Sequence, residues 1–412
     1  MTCFSSRLLL LLLMALLSAA PNAQAQIPET PDEGPDPDHV RVRIGALWLN
    51  PTIALSNVGV DTNVFNEPSD QNPKRDFTAT VTPAADLWLR MGRSWLSGNV
   101  KESFVWYQKQ ASERSANNSY TVGWRMPTDR VLLAATATFL QTRDRPGFEI
   151  DARSDRTEIG YGGALELRAL ARTFVGFKAN RQNVAFDKDA FFFDSSLRTQ
   201  LNRTATSAAV SLRHQLTPLT SLGFEVIRSE DRFDLSPLRD SNSTSYSGTV
   251  RLDPAALIKG SASFGYRDFE PVDAGLPPYK GATAAIDLAY SMFGTTRFSV
   301  EGTRDVQYSF DINQPYYLLT GFSGSVAQQV FGPVDVVARA GTQRLSYRDR
   351  TVGSIAISNR TDFVHTYGGS VGYHMGRDWR LSFNVDRQNR VSDLASREYD
   401  NLRIGTALTY GF

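Results

Sequence analysis

The sequence predicts an all-β fold, a transmembrane antiparallel up-and-down β-barrel of about eighteen strands, with sixteen as the alternative count. Three observations carry this expectation. From about residue 43 to the end, apolar and polar side chains alternate, which is the period of strands with one oily and one wet side, and no stretch recurs at helical spacing. After the first 17 residues no apolar run approaches the ~20 residues that a spanning helix needs. The chain then closes on Asn401-Leu402-Arg403-Ile404-Gly405-Thr406-Ala407-Leu408-Thr409-Tyr410-Gly411-Phe412, in which Leu402, Ile404, Leu408, Tyr410 and Phe412 share one face. Inside lipid every backbone amide must pair with a neighbouring strand, so alternation along a whole membrane chain implies a ring without edges.

At the N-terminus, residues 1–25 read as a secretory signal peptide. Arg7 supplies the positive charge, Leu8 to Leu17 the apolar core, and Ala23-Gln24-Ala25 the small-x-small cleavage site. Cys3, the single cysteine, is lost on cleavage, which leaves no disulfide, thiol nucleophile or cysteine metal site. Residues 26–42 form an acidic, proline-rich leader with the composition of a disordered periplasmic segment. The barrel proper spans 43–412. Setting aside Arg7 and the five leader acids leaves 43 basic residues against 38 acidic ones, and 37 of the 44 bases in the whole chain are arginine. Arginine grips carboxylates and phosphates with a two-pronged fork, so this bias bears on what the interior can hold.

Turn chemistry sets the strand count. Tight connections fall at 91–94, 126–129, 169–172, 216–219, 253–256, 292–295, 331–333 and 375–378. They alternate with nine longer polar stretches, near 58–76, 108–118, 143–155, 186–202, 229–244, 268–279, 309–315, 348–361 and 389–398. Eight turns and nine loops join eighteen strands. An even number leaves both termini on one side, and in barrels of this kind the short turns face the periplasm. The expected location is the bacterial outer membrane, with both ends periplasmic and outer-membrane lipid and lipopolysaccharide as the surrounding partners.

Parity assigns the faces. Trp379, Leu381, Phe383 and Val385 should meet lipid while Arg380, Ser382, Asn384 and Asp386 face inward, and Phe264 and Tyr266 lie opposite Lys259, Ser263 and Arg267. A slip of one residue would place arginines in hydrocarbon at ~2–4 kcal/mol each, which holds the register. Two strands resist assignment, because 94–107 carries Lys101 and Glu102 on opposite faces and 316–330 has large apolar residues on both. The predicted lumen is polar and mixed in sign, with Lys178, Arg203, Arg213, Arg251, Lys259, Arg267, Arg297, Arg339, Arg380 and Arg403 set against Glu166, Glu225, Asp287, Glu301, Asp305 and Asp386. A ring of sixteen to eighteen strands leaves room for water inside. The basic residues could form a ladder for an anionic solute. They could equally salt-bridge across the wall and hold the barrel open.

The stretch Leu49-Asn50-Pro51-Thr52-Ile53-Ala54-Leu55-Ser56-Asn57-Val58-Gly59-Val60-Asp61-Thr62-Asn63-Val64-Phe65 resembles the opening of the family called putative β-barrel porin 2, whose first hairpin carries a proline followed by an Asp-x-Asn-Val-Phe-like segment. The likeness covers about residues 43–412. The closing strand is similar to those of bacterial outer-membrane barrels, and the resemblance implies that the barrel-assembly machinery reads Leu408, Tyr410 and Phe412 as an assembly signal. It further implies a role in exopolysaccharide production or export, with anionic polysaccharide and periplasmic export proteins as partners. For Asp61 and Asn63, the bland reading of a turn at a strand end outweighs a cation site.

An enzyme is not expected. The four histidines, His39, His214, His365 and His374, show no neighbouring nucleophile arrangement. No metal cluster, phosphate-binding glycine loop or nucleic-acid motif is legible, so no cofactor, metal or nucleic-acid partner is expected. Three functions follow from these readings: a pore exporting polysaccharide, a general diffusion porin, or a structural or adhesive surface barrel. The loop at 186–202, with Phe191-Phe192-Phe193, is the expected site of any inward fold, an outer-rim aromatic cluster being the other reading.

Overall fold

The computed structural model describes residues 40–350 and 360–411. The expected signal peptide and the expected leader through His39, the middle of the eighth long loop and Phe412 lie outside the described residues. Within them, eighteen antiparallel strands close into one ring. The first six are β1 (Leu47–Asp61), β2 (Asp76–Met91), β3 (Ser94–Tyr107), β4 (Ser115–Pro127), β5 (Val131–Thr142) and β6 (Arg156–Leu170). The next six are β7 (Thr173–Phe186), β8 (Arg203–Thr217), β9 (Thr220–Phe233), β10 (Ser241–Leu252), β11 (Ile258–Pro271) and β12 (Tyr279–Met292). The ring ends with β13 (Thr296–Tyr308), β14 (Tyr316–Phe331), β15 (Val334–Arg348), β16 (Thr361–Met375), β17 (Trp379–Ser392) and β18 (Tyr399–Tyr410). All eight turns and nine loops fall where turn chemistry placed them.

Closure depends on one local irregularity. β1 pairs with β18 from Ile53↔Tyr410 to Asp61↔Arg403, interrupted by a bulge between Leu55 and Val58. Asn57 takes the left-handed conformation, φ 53°, that asparagine tolerates better than most residues. Beyond the bulge the two backbones come so close that a Cβ on Gly59 would collide with the Ile404 carbonyl, so only glycine fits. Below Tyr410 the short strand Val42–Ile44 continues the ladder by pairing with Leu47 to Leu49.

Alternating exposure confirms the two faces. Trp379, Leu381 and Phe383 on β17 and Phe264 and Tyr266 on β11 are exposed to the outside, whereas Arg380, Ser382 and Arg267 are buried within. The two unassigned strands also resolve. On β3, Lys101 points inward, and Glu102 points outward to accept the Tyr120 hydroxyl at 2.8 Å. On β14, both faces of Tyr316 to Leu319 are buried because the β13–β14 hairpin, still paired with β15, parts from β12: pairing between β12 and β13 stops at Ala284↔Arg304. Above that point Val306, Tyr316 and Leu318 pack on Phe269 and Tyr279, while Tyr317 and Leu319 pack on Leu345, Tyr347 and Val364. The hairpin therefore leans across the long-loop mouth.

Candidate functional site in the barrel interior

All ten predicted inner bases lie on the inward parity of their strands, and most are already neutralised. Lys178 meets Glu225 at 3.1 Å, Arg203 meets Asp231 at 3.5 Å, Arg213 meets Glu166 at 2.5 Å, and Arg267 meets Asp305 at 2.9 Å. Arg339 bonds Asp386 through Nε at 3.0 Å, Arg380 clasps Asp335 at 2.5 and 2.9 Å, and Arg403 meets the fully buried Asp61 at 3.0 Å. His374 joins the Arg380–Asp335 pair at 2.6 Å. Lys259 and Arg297 face inward without a carboxylate ion pair among the described residues, and Arg251 shares their face. Asp287 and Glu301 stand directly opposite each other, Glu301 accepting from Ser323 at 3.3 Å. Wall-bracing ion pairs thus account for seven of the ten, and a continuous free arginine ladder is not what the geometry provides.

Five of these pairs skip a strand. Arg339 on β15 reaches Asp386 on β17 across Gly368 of β16, and Asp335 reaches Arg380 across Gly372. A Cβ at either glycine would lie inside the contact distance of the charged groups passing over it. Glu166 and Arg213, Lys178 and Glu225, and Arg267 and Asp305 each span one intervening strand in the same way. A glycine or small residue in the middle strand lets the charges meet, and the pair ties three strands together.

The long-loop mouth is filled chiefly by the third loop, residues 143–155, which the sequence reading did not single out. Its Pro146-Gly147 turn, with Gly147 at φ 90°, drives the chain across the lumen. Arg145 donates to the Val64 carbonyl at 2.9 Å and also to that of Asp151. Arg153 pairs with Glu113 at 3.1 Å and touches Tyr107. On the far side Glu149 accepts from the Ser309 hydroxyl at 2.5 Å and the Phe310 amide at 3.2 Å. Arg390, its side chain fully buried, donates to Asp151 at 2.9 Å, to the Glu149 carbonyl at 3.2 Å and to the Phe148 carbonyl. Arg397 also donates to the Glu149 carbonyl. Between β5 and β6 on one side and Ser309, beyond β13, on the other lies nearly half the ring, so the loop must cross the interior.

Burial holds the Glu149 carboxyl above the usual carboxylate range and lowers Arg145 to about 10. Arg239, from the loop after β9, donates to Ser309 and Asp311 carbonyls at 2.5 and 2.6 Å and to Gln200 at 3.1 Å, and burial lowers it to about 10 as well. The 186–202 loop contributes only part of the expected inward fold. Leu197 and Leu201 of its short helix join Ile150, Phe186 and Phe310 in a buried cluster. Phe191 and Phe193 stay at the rim, each 54% exposed. Phe148 and Ile150 were the missed signal, since apolar side chains inside a charged loop must find a covered site.

Asp61 and Asn63 serve the seam. Asp61 accepts the Asn63 amide at 3.1 Å, and Asn63 bonds Glu67 and Asp400 through its side chain. Of the histidines, His374 is engaged with Asp335, His365 faces outward stacked on Phe363, and His214 lies near a short turn against Thr173. Leu408 and Tyr410 line the outward face of β18.

The family described as putative beta-barrel porin 2 matches residues 36–412. Among solved structures, one titled bacterial polysaccharide outer membrane secretin is similar at 11% identity and a TM-score of 0.34, covering 90% of this chain and 100% of that one. The outer membrane protein opdK of Pseudomonas aeruginosa is similar at 12% identity and a TM-score of 0.47, with 88% and 98% covered. A BenF-like porin from Pseudomonas fluorescens Pf-5 is similar at 10% identity and a TM-score of 0.46, with 89% and 98% covered. Comparison with curated proteins gave no match.

Proposed function

We propose a gated conduit for a hydrophilic solute, starting from the fact that the chain belongs to the putative beta-barrel porin 2 family and forms a porin-like outer-membrane β-barrel. The observation that carries the proposal is a closed eighteen-strand ring with an apolar outside and an ion-paired, polar inside. A wall whose charges cancel locally has little reason to select small ions by sign. It suits a long, hydroxyl-rich polymer, and polysaccharide export is the finer reading. In this orientation the nine long loops face outward, both termini are periplasmic, and the third loop closes the outer mouth at rest. Assembly would use the last strand, with Leu408 and Tyr410 presented to the machinery ahead of Phe412. Periplasmic export proteins would meet the short-turn end.

Planar-bilayer conductance tests this reading. A small basal current that grows when the third loop is released supports the gated conduit. A large, steady current from the unmodified barrel supports a general diffusion porin and removes the gate. Failure of the loop-released barrel to conduct at all refutes transport.

A further inference from the structure

Three of the six tryptophans, Trp48, Trp88 and Trp95, stand on the adjacent strands β1, β2 and β3 close to the short-turn end. Trp48 lies directly opposite Trp88, and Trp95 opposite Arg90. Register fixes their direction. Ile53, Val81 and Phe104 are exposed on the outer face of the same strands, so the opposite parity turns all three indoles inward beside Asp86, Asn99 and Lys101. Tryptophans that anchor a barrel in its membrane point outward into the headgroup layer, and these cannot do so. Nor are they core filler, because none belongs to a buried apolar cluster and each keeps partial exposure.

Their surroundings are those of a binding surface. Trp48 and Trp95 meet edge to face at 5.3 Å. The Arg43 guanidinium lies over Trp48 at 4.9 Å and that of Arg90 over Trp95 at 5.8 Å. No other ring stacks on Trp88 among the described residues. Next to it Asn99 donates to Asp86 at 2.6 Å, a fixed acceptor and amide pair. A ligand matching this surface needs an apolar face to lie on indole and several hydroxyls at its edge to bond carboxylate, amide and ammonium groups. A pyranose ring has both. Phosphate or a small anion would use the arginines and ignore the indoles.

We infer that Trp48, Trp88 and Trp95 form a saccharide-binding platform at the short-turn mouth of the barrel, with Asp86, Asn99 and Lys101 receiving the ring hydroxyls. The inference rests on the polysaccharide-conduit reading and gives that conduit an intake site. Intrinsic tryptophan fluorescence of the mature barrel in detergent, titrated with a neutral glucose hexamer, tests it directly. Saturable quenching is expected. Trp88→Leu should weaken it by at least about fivefold, the loss of one aromatic contact of ~1 kcal/mol. Trp88→Phe should recover part of the affinity, and Trp106→Phe, an outward change, should leave it unaltered. Absence of saturable quenching, or equal affinity in Trp88→Leu with the barrel still heat-modifiable on gels, overturns the platform. The two readings fail separately. Current through the loop-released barrel that the hexamer neither blocks nor accompanies with quenching leaves the conduit and removes the platform. Quenching without current in any state keeps the platform and removes the conduit.

Discussion

Replacing Arg390 by methionine probes the gate most directly, because methionine keeps the stem volume and deletes only the guanidinium. That group is fully buried and makes three bonds to the third loop, to Asp151 at 2.9 Å and to the Glu149 and Phe148 carbonyls. Removing one partner of a buried ion pair costs ~3–5 kcal/mol, and Asp151 then keeps only the longer contact to Arg397 at 3.7 Å and the Asn66 amide at 3.3 Å. Part of that loss falls on Asp362, 4.0 Å away on the wall, and is shared by the docked and released states. The portion specific to docking is then about 3 kcal/mol, and at 1.4 kcal/mol per tenfold the ratio of released to docked barrels rises by about 100-fold. Single-channel recording in a planar bilayer reads this ratio as open probability. The wild type should be open for a small fraction of the time and Arg390→Met for most of it, with unchanged unit conductance. A variant that runs as a folded, heat-modifiable barrel yet keeps an open probability within threefold of wild type would refute the latch.

Further outcomes follow from the same geometry. Because burial raises the docked Glu149 carboxyl, docking is strongest at pH values below the ordinary carboxylate range and weakens as pH rises through the docked-state value. Open probability should therefore climb with pH, and Glu149→Gln should flatten that climb; a wild-type profile that falls with pH contradicts it. Gly372→Ala should break the Arg380–Asp335 pair at a cost of ~1–3 kcal/mol, seen as a lower unfolding temperature, because both side chains are about nine-tenths buried. Gly368→Ala disturbs the more exposed Arg339–Asp386 pair and should cost less; the reverse order would count against the skip-strand account. Arg339→Gln with Arg380→Gln frees Asp386 and Asp335, so the reversal potential of the loop-released pore should move toward cation preference, and a shift toward anions would show that those carboxylates do not face the solute path. Arg181 and Arg228 face outward eight positions into β7 and β9, about 20 Å above the short turns at ~3.3 Å per residue and ~40° tilt, where outer-leaflet phosphates would lie. Replacing both with alanine should lower the lipopolysaccharide retained on purification, and full retention would exclude them as its contacts.

The local part of this architecture was legible in the sequence, and the non-local part was not. Strand direction, face and number depend on a two-residue period and on turn residues at known offsets, so the eighteen strands and their turns could be read from neighbours alone. Lys101 and Glu102 stayed ambiguous because parity within one strand says nothing about which face is outward; the exposed Phe104 and Trp106, on the parity of Glu102, settle it. Tyr316 to Leu319 broke the pattern for a different reason. A strand that parts from one neighbour and is packed over is covered on both sides, and an apolar residue at every position is then what burial requires.

The inner charges mark the limit more sharply. Read alone, ten inward bases suggest a positive track, yet five of the seven ion pairs that cancel them are made two strands away, 38 to 47 residues along the chain. That separation has a structural origin. Two strands with one turn and one loop make a repeat of about this length, so a carboxylate placed one repeat from an arginine arrives at the same height on the same face. Whether they meet depends on what stands between them, and at Gly368 and Gly372 nothing does. Opposite inward charges one repeat apart, with a glycine on the strand between, are therefore a sequence signature of a braced wall. Bases lacking such a partner, here Lys259 and Arg297, are the ones left to act on a solute.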